Sequence, residues 1–246
     1  MKNESGNSFK FKGIAAGAKQ LISDFLPLCP HQVISHQLIS RESVSVTGFF
    51  FDKEEGISTD IQHQDILYIV HKGSAKITVQ KKPLILGEGE CIFVPSGYAH
   101  SIDAESALWL IQISAGDMPE KDTESRGSAM EKKDYIKNIE KAQIKVLSDL
   151  VGYHEGKVSS LTLIQRDIFT TTVMAMDKGT GVGPHICEGD AMVIALDGEG
   201  DVMIGDEHHT IKKGECIVMP ADISHAVRGE SHQFKMLLIV SKPEIN

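Results

Sequence analysis

Gly73 to His100 reads GSAKITVQKKPLILGEGECIFVPSGYAH, and Gly198 to His225 reads GEGDVMIGDEHHTIKKGECIVMPADISH. The two stretches align without a gap at a constant shift of 125 residues. Gly89-Glu90-Cys91-Ile92 falls on Gly214-Glu215-Cys216-Ile217, Pro95 on Pro220 and His100 on His225. Upstream, Asp65 falls on Asp190 and Ile69 on Ile194. Chance rarely places a tetrapeptide, a proline and a histidine in one register. A repeat of this length is a duplicated domain, far longer than a solenoid unit.

Within each copy the apolar pattern has period two, the signature of strands. Met192, Ile194 and Leu196 fall on one face, with Val193 and Ala195 on the other, and Ile77 and Val79 alternate with Lys76 and Thr78. Gly205-Asp206 lies between two such runs as a hairpin turn. Pro95 and Pro220 each close an apolar strand, where no ladder bond is lost. Short strands with frequent glycine turns predict an all-β sandwich or barrel.

Two segments carry helical spacing. Phe9, Ile14, Ala18, Leu21, Ile22 and Phe25 predict a helical arm over 9–26, stopped by Pro27 and Pro30. Ile136, Ile139, Ile144 and Leu147 predict a short helix over 133–150, after a polar linker at 117–134. The expected division is an arm at 1–33, a first barrel at 34–118, a linker and helix at 119–145, and a second barrel at 146–246. The boundary between barrels is placed near residue 125.

The formal net charge of −9 and pI of about 5.6 argue against general nucleic-acid binding, which needs a basic face. Cys29, Cys91, Cys187 and Cys216 show neither CxxC spacing nor the density of a secreted disulfide scaffold. No signal-peptide pattern and no run of eighteen apolar residues is present, so the cytoplasm is the expected compartment and no membrane partner is expected.

The second half of each copy resembles the G-x5-P-x-G-x2-H motif of the cupin superfamily. Gly89, Pro95, Gly97 and His100 fit it fully; Gly214, Pro220 and His225 fit, with Asp222 in place of the second glycine. The resemblance spans about 34–115 and 146–241. It implies two tandem jelly-roll β-barrels, a bicupin, in the fold of RmlC-type epimerases and AraC-type sensor domains. The stretch from 146 to 241, with FTTTVMAMDKG, H-x-x-x-G-D-A and GECIVMPADISHAV, also looks like small single-barrel bacterial cupins of unassigned reaction.

The other cupin motif normally supplies two histidines and a glutamate as metal ligands. On a strand, residues i and i+2 share a face, so H-x-H aims both imidazoles into the barrel. Here His185 takes the first position, Cys187 the second and Ala191 that of the glutamate. The resemblance therefore implies His185, Cys187 and His225 as ligands for one divalent transition metal, Zn, Fe, Ni or Mn, with His185, His225 and Asp190 as catalytic candidates. Cys187 reads equally as a small apolar side chain. In the first copy the positions hold Asp60, Gln62 and Ile66, so only His100 fits and that barrel is expected to be degenerate. His208-His209 follows a hairpin turn, and adjacent strand residues face opposite sides.

Three functions follow as alternatives. One is a metal-dependent or acid/base enzyme acting on a small organic molecule. Another is a ligand-binding or sensor cupin; with no helix-turn-helix after residue 241, it would not read DNA by itself. The last is a structural cupin. The two barrels are expected to pair within one chain, a homodimer being the alternative.

Overall fold

The computed structural model describes residues 11–41, 43–116 and 135–243, and strands dominate it. In chain order these are β1 (Gln20–Leu21), β2 (Val33–Ser40), β3 (Val44–Phe51), β4 (Gly56–Ile61), β5 (Asp65–Lys72), β6 (Ala75–Val79), β7 (Lys82–Leu86), β8 (Glu90–Val94), β9 (Ala99–Ala104) and β10 (Leu108–Ala115). There follow β11 (Ile144–Val146), β12 (Val158–Arg166), β13 (Phe169–Met176), β14 (Thr180–His185), β15 (Asp190–Ile204), β16 (Glu207–Lys212), β17 (Glu215–Met219), β18 (His225–Gly229) and β19 (Phe234–Ser241). The only helical turns among the described residues are 3-10 turns at Ile22–Asp24 and Leu147–Leu150.

In the first half, a six-stranded sheet ordered β11-β8-β5-β10-β3-β2 faces a four-stranded sheet ordered β4-β9-β6-β7. Phe51, Tyr68 and Leu110 of the larger layer meet Ile77, Leu86 and Ile102 of the smaller in one buried cluster. The second half repeats this plan around the long strand β15. Its first part lies in a layer ordered β1-β17-β15-β19-β13-β12, and its second part pairs with β16 and β18, with β14 beyond. The expected closed barrels are not found: among the described residues, no hydrogen-bonded ladder closes either half into a ring. Each half is instead a pair of facing layers, joined in the second half by β15 and separated in the first at Gly73-Ser74.

Period-two alternation lets each large layer bury both of its faces. Phe51, Tyr68 and Leu110 look inward, while their neighbours Phe50, Ile69 and Ile111 look the other way. Those outward residues pack with Val173, Ile194 and Leu237 of the second half in a core shared by both halves. This shared core explains why β5 and β10 carry almost unbroken apolar runs.

Neither expected helix forms. From Phe11 to Leu26 the chain is an arm whose β1 pairs with β17 of the other half, Gln20 opposite Cys216 and Leu21 opposite Glu215. From residue 135 a second arm does the same in return: β11 pairs with β8, Lys145 opposite Cys91 and Val146 opposite Glu90. Every partner in the first exchange maps onto one in the second at the shift of 125 residues seen in the sequence. The bridge of Ala16 to Val218 and that of Phe93 to Lys141 match in the same way. The two halves thus swap arms about a pseudo-twofold. The helical spacing was misleading: of its residues Ile14 and Ile22 are buried but Leu21 is exposed, and the arm also buries Phe11 and Leu26, which were outside that spacing. Gly13 and Gly17 hold φ of 73° and 66°, and Asn138 and Ala142, their equivalents, hold 59° and 51°, which no α-helix contains. Residues 9–10 and 133–134 of the two expected helices, and the linker at 117–134, lie outside the described residues.

Candidate ligand-binding site

Strands β14 and β18 pair antiparallel, and their ladder places His185 directly opposite His225. Directly opposed residues share a face, so the two imidazoles meet, with ring centroids 4.5 Å apart and planes at 67°. His225 is buried, whereas His185 is exposed. The loop before His225 is tied down on several sides. Asp222 donates its N–H to the carbonyl of Cys187 at 2.9 Å, Ala221 donates to Asp190 Oδ1 at 2.8 Å, and Gly205 donates to Ser224 O at 2.8 Å.

The protonation pattern follows from the partners. His185 Nδ1 lies 3.0 Å from Gly183 O, and His225 Nδ1 lies 2.9 Å from Ile223 O. A carbonyl only accepts, so each neutral ring carries its proton on Nδ1 and leaves a lone pair on Nε2. Neither Nε2 has a hydrogen-bond partner among the described residues. Burial holds the His225 pKa below the usual imidazole value, and a charge on His185 would lower it further, against the raising effect of the Ile223 carbonyl.

Of the residues singled out from the sequence, His185 and His225 come together. Asp190 is buried and serves the loop, the same task that Asp65 performs by accepting the Ser96 N–H at 2.9 Å. Cys187 lies past the end of β14 and does not complete a triad with the imidazoles. Among the described residues, no three His, Cys, Asp or Glu side chains are grouped to hold a metal ion. Ala191, at the glutamate position, is buried and offers no donor. Two nitrogen donors fall one short of a three-ligand catalytic centre, so these residues do not fit the metal that the fold would suggest.

The equivalent place in the first half is built differently. His100 lies opposite Asp60 and its Nδ1 contacts Tyr98 O at 3.0 Å, but its Nε2 contacts the Tyr68 hydroxyl at 2.9 Å. The hydroxyl donates, since Nδ1 already carries the ring proton. Gln62 donates to Asp60. Burial, with Asp60 nearby, keeps the Tyr68 hydroxyl protonated well above its ordinary pKa. The second half has Val193 where Tyr68 stands, so its histidine has no such internal partner. Sequence reasoning missed Tyr68. The available signal was a single hydroxyl in the apolar run Ile66-Leu67-Tyr68-Ile69-Val70, because a buried polar group needs a partner.

The interiors differ in the same sense. Phe49, Phe51, Tyr68 and Ile66 of the first half are replaced by Met174, Met176, Val193 and Ala191 in the second. Met219 and Met236 stand where Val94 and Leu110 do. The first interior is thus richer in aromatic rings, and the second, which keeps Phe234, is richer in unbranched, adaptable methionines.

Residues 172–241 match the cupin domain family. This is a protein of cupin fold, all-β, with a cupin domain in its second half. Over its whole length it is similar to a cupin 2 conserved barrel domain protein from Leptotrichia buccalis, at 27% identity and TM-score 0.77, covering 94% of this chain and 99% of that one. A salicylate 1,2-dioxygenase from Pseudaminobacter salicylatoxidans shares the fold at 12% identity and TM-score 0.58, covering 81% of this chain and 71% of that one. A conserved protein of unknown function from Streptococcus pyogenes is 41% identical over 48% of this chain and all of its own, at TM-score 0.44. No curated protein matches the chain. No helix among the described residues is long and apolar enough to cross a membrane.

Proposed function

We propose that the chain is a bicupin and that its second unit binds a small hydroxylated organic molecule at the His185–His225 pair. One observation carries this reading: two imidazoles held by their Nδ1 protons, with both Nε2 lone pairs free, where the first unit satisfies the same nitrogen with a tyrosine hydroxyl. A ligand hydroxyl donating to His225 Nε2 would supply what Tyr68 supplies to His100. The methionines of that unit's interior can adjust to an apolar body. The donor set is one ligand short of a metal centre, so the reading uses no metal step.

Nitrogen-detected NMR of the histidine rings in the full-length protein tests this. Phenol should shift the Nε2 resonance of His225, whereas anisole, which has no hydroxyl proton, should not. Val193→Tyr, which copies the first unit, should abolish the response. A shift confined to His100, or none at His225 with phenol, overturns the proposal.

A further inference from the structure

A cavity of about 300 Å³ lies between the two large layers. Its wall straddles the pseudo-twofold: Ile69 and Ile194, Gly89 and Gly214, and Glu88 and Lys213 are equivalent pairs that all line it. The volume is at the lower end of small-molecule pockets, at about 300–1,000 Å³. Trp109, Ile111, Leu196 and Leu237 give it an apolar body.

Its polar groups break the symmetry. His71 lines the cavity where its equivalent in the other half is Leu196, and it has no hydrogen-bond partner among the described residues. Burial, the largest effect, pushes its pKa down to about 4 against the opposing pull of Glu88, so it is neutral at pH 7. Lys213 is paired with Glu88 at 3.6 Å. Lys72 has no carboxylate partner among the described residues; its ammonium rests over the Trp109 ring, 5.3 Å from the centroid.

At the equivalent place in the second half, the polar groups satisfy one another. Asp197 and Lys235 stand where Lys72 and Trp109 do. Tyr153 donates to Asp197 at 2.8 Å, and Lys235 donates to Ser148 O at 2.8 Å while lying over the Tyr153 ring. The first-half side therefore holds one unmatched cation and one unmatched imidazole beside an apolar wall.

We propose that this cavity is a second small-molecule site, independent of the His185–His225 pair, which takes a monocarboxylate with an apolar body. The carboxylate would meet Lys72 and the imidazole of His71, and the body would lie against Trp109 and the aliphatic side chains between the layers.

Trp109 is the only tryptophan of the chain, so its fluorescence reports on this cavity directly. Titration of the full-length protein with octanoate should give a saturable change. Octanol and octylamine test the charge, and each should bind at least about tenfold more weakly than octanoate, the expected size for one charge-assisted contact. Lys72→Gln on the surface and His71→Leu, which copies Leu196, should each weaken octanoate to a similar degree, while His185→Ala leaves it unchanged. No saturable change with octanoate overturns the proposal. So does equal binding of octanol and octanoate, or a response lost in His185→Ala.

Discussion

The surroundings of His100 and His225 are the same backbone carrying two different contents. Both histidines follow a proline-containing turn, both tie Nδ1 to the carbonyl two residues before, and both face a residue across an antiparallel ladder. Around His100 a tyrosine hydroxyl fills the remaining nitrogen and Phe49, Phe51 and Tyr68 occupy the interior; around His225 the partner is a second imidazole, and methionines and smaller side chains stand in those aromatic places. The difference teaches that duplication preserves the scaffold through its backbone bonds. Whether a site opens is decided by side chains that the scaffold does not need.

The largest test addresses what the two halves share. Phe93 and Val218 are equivalent and both lie in the core between the layers. Phe93→Ala should cost about 3–5 kcal/mol, as for large-to-small core changes, and Val218→Ala about 2 kcal/mol. Because that core and the swapped arms join the halves, urea unfolding should be one transition, coincident by circular dichroism and by Trp109 fluorescence. Two separate transitions would break the picture of a single cooperative body.

A second contrast sets His71 against Leu196. Folding lowers the His71 pKa from 6.5 to about 4, so within that window the folded state binds fewer protons than the unfolded one. Stability should therefore fall as pH drops from about 6.5 toward about 4, and be unaffected by this group above that window. His225 adds to the loss in the same direction. His71→Leu should flatten the acid limb of a denaturation series, and an unchanged limb would refute the assignment.

Much of this comparison was legible beforehand. The GECI repeat, Pro95 and Pro220, and the paired histidines His100 and His225 set the register that the strands obey. That His185 would approach His225 was implied only by the resemblance to the cupin motif, and the ladder that sets them opposite each other was not read from the sequence. The arms were not legible, because Ile14 and Ile22 fit one helical face in the sequence although the arm is extended where Gln20–Leu21 pairs with the other half, and the glycines that forbid the helix are two among many. Cys187 was misleading because side-chain alternation holds only while a strand continues, and β14 ends at His185. The cavity between the layers was invisible for a further reason: it depends on how two sheets stack, and spacing within one strand does not encode that.

The Tyr68 hydroxyl offers a smaller test. Tyr68→Phe keeps the ring but leaves His100 Nε2 buried without its donor, which should cost about 1–3 kcal/mol. Tyr68→Val goes further, since it copies Val193 and should make His100 respond to phenol in the ring-nitrogen spectrum. A silent His100 in that variant would mean that the tyrosine is not what closes the first unit.

The smallest effect lies in the turn that delivers each histidine. Gly97 and Asp222 occupy the same place with φ of 83° and 63°, and donate their N–H groups to Gln62 O at 2.8 Å and Cys187 O at 2.9 Å. The left-handed conformation is what lets the loop turn back onto the preceding strand, and aspartate tolerates it better than most side chains. Gly97→Asp should thus cost under about 1 kcal/mol, whereas Gly97→Val, branched at Cβ, should cost at least about 1–2 kcal/mol, both read from thermal melts. Equal costs would show that the departure of Asp222 from the glycine pattern is not a matter of backbone tolerance, and the shared geometry of the two turns would need another cause.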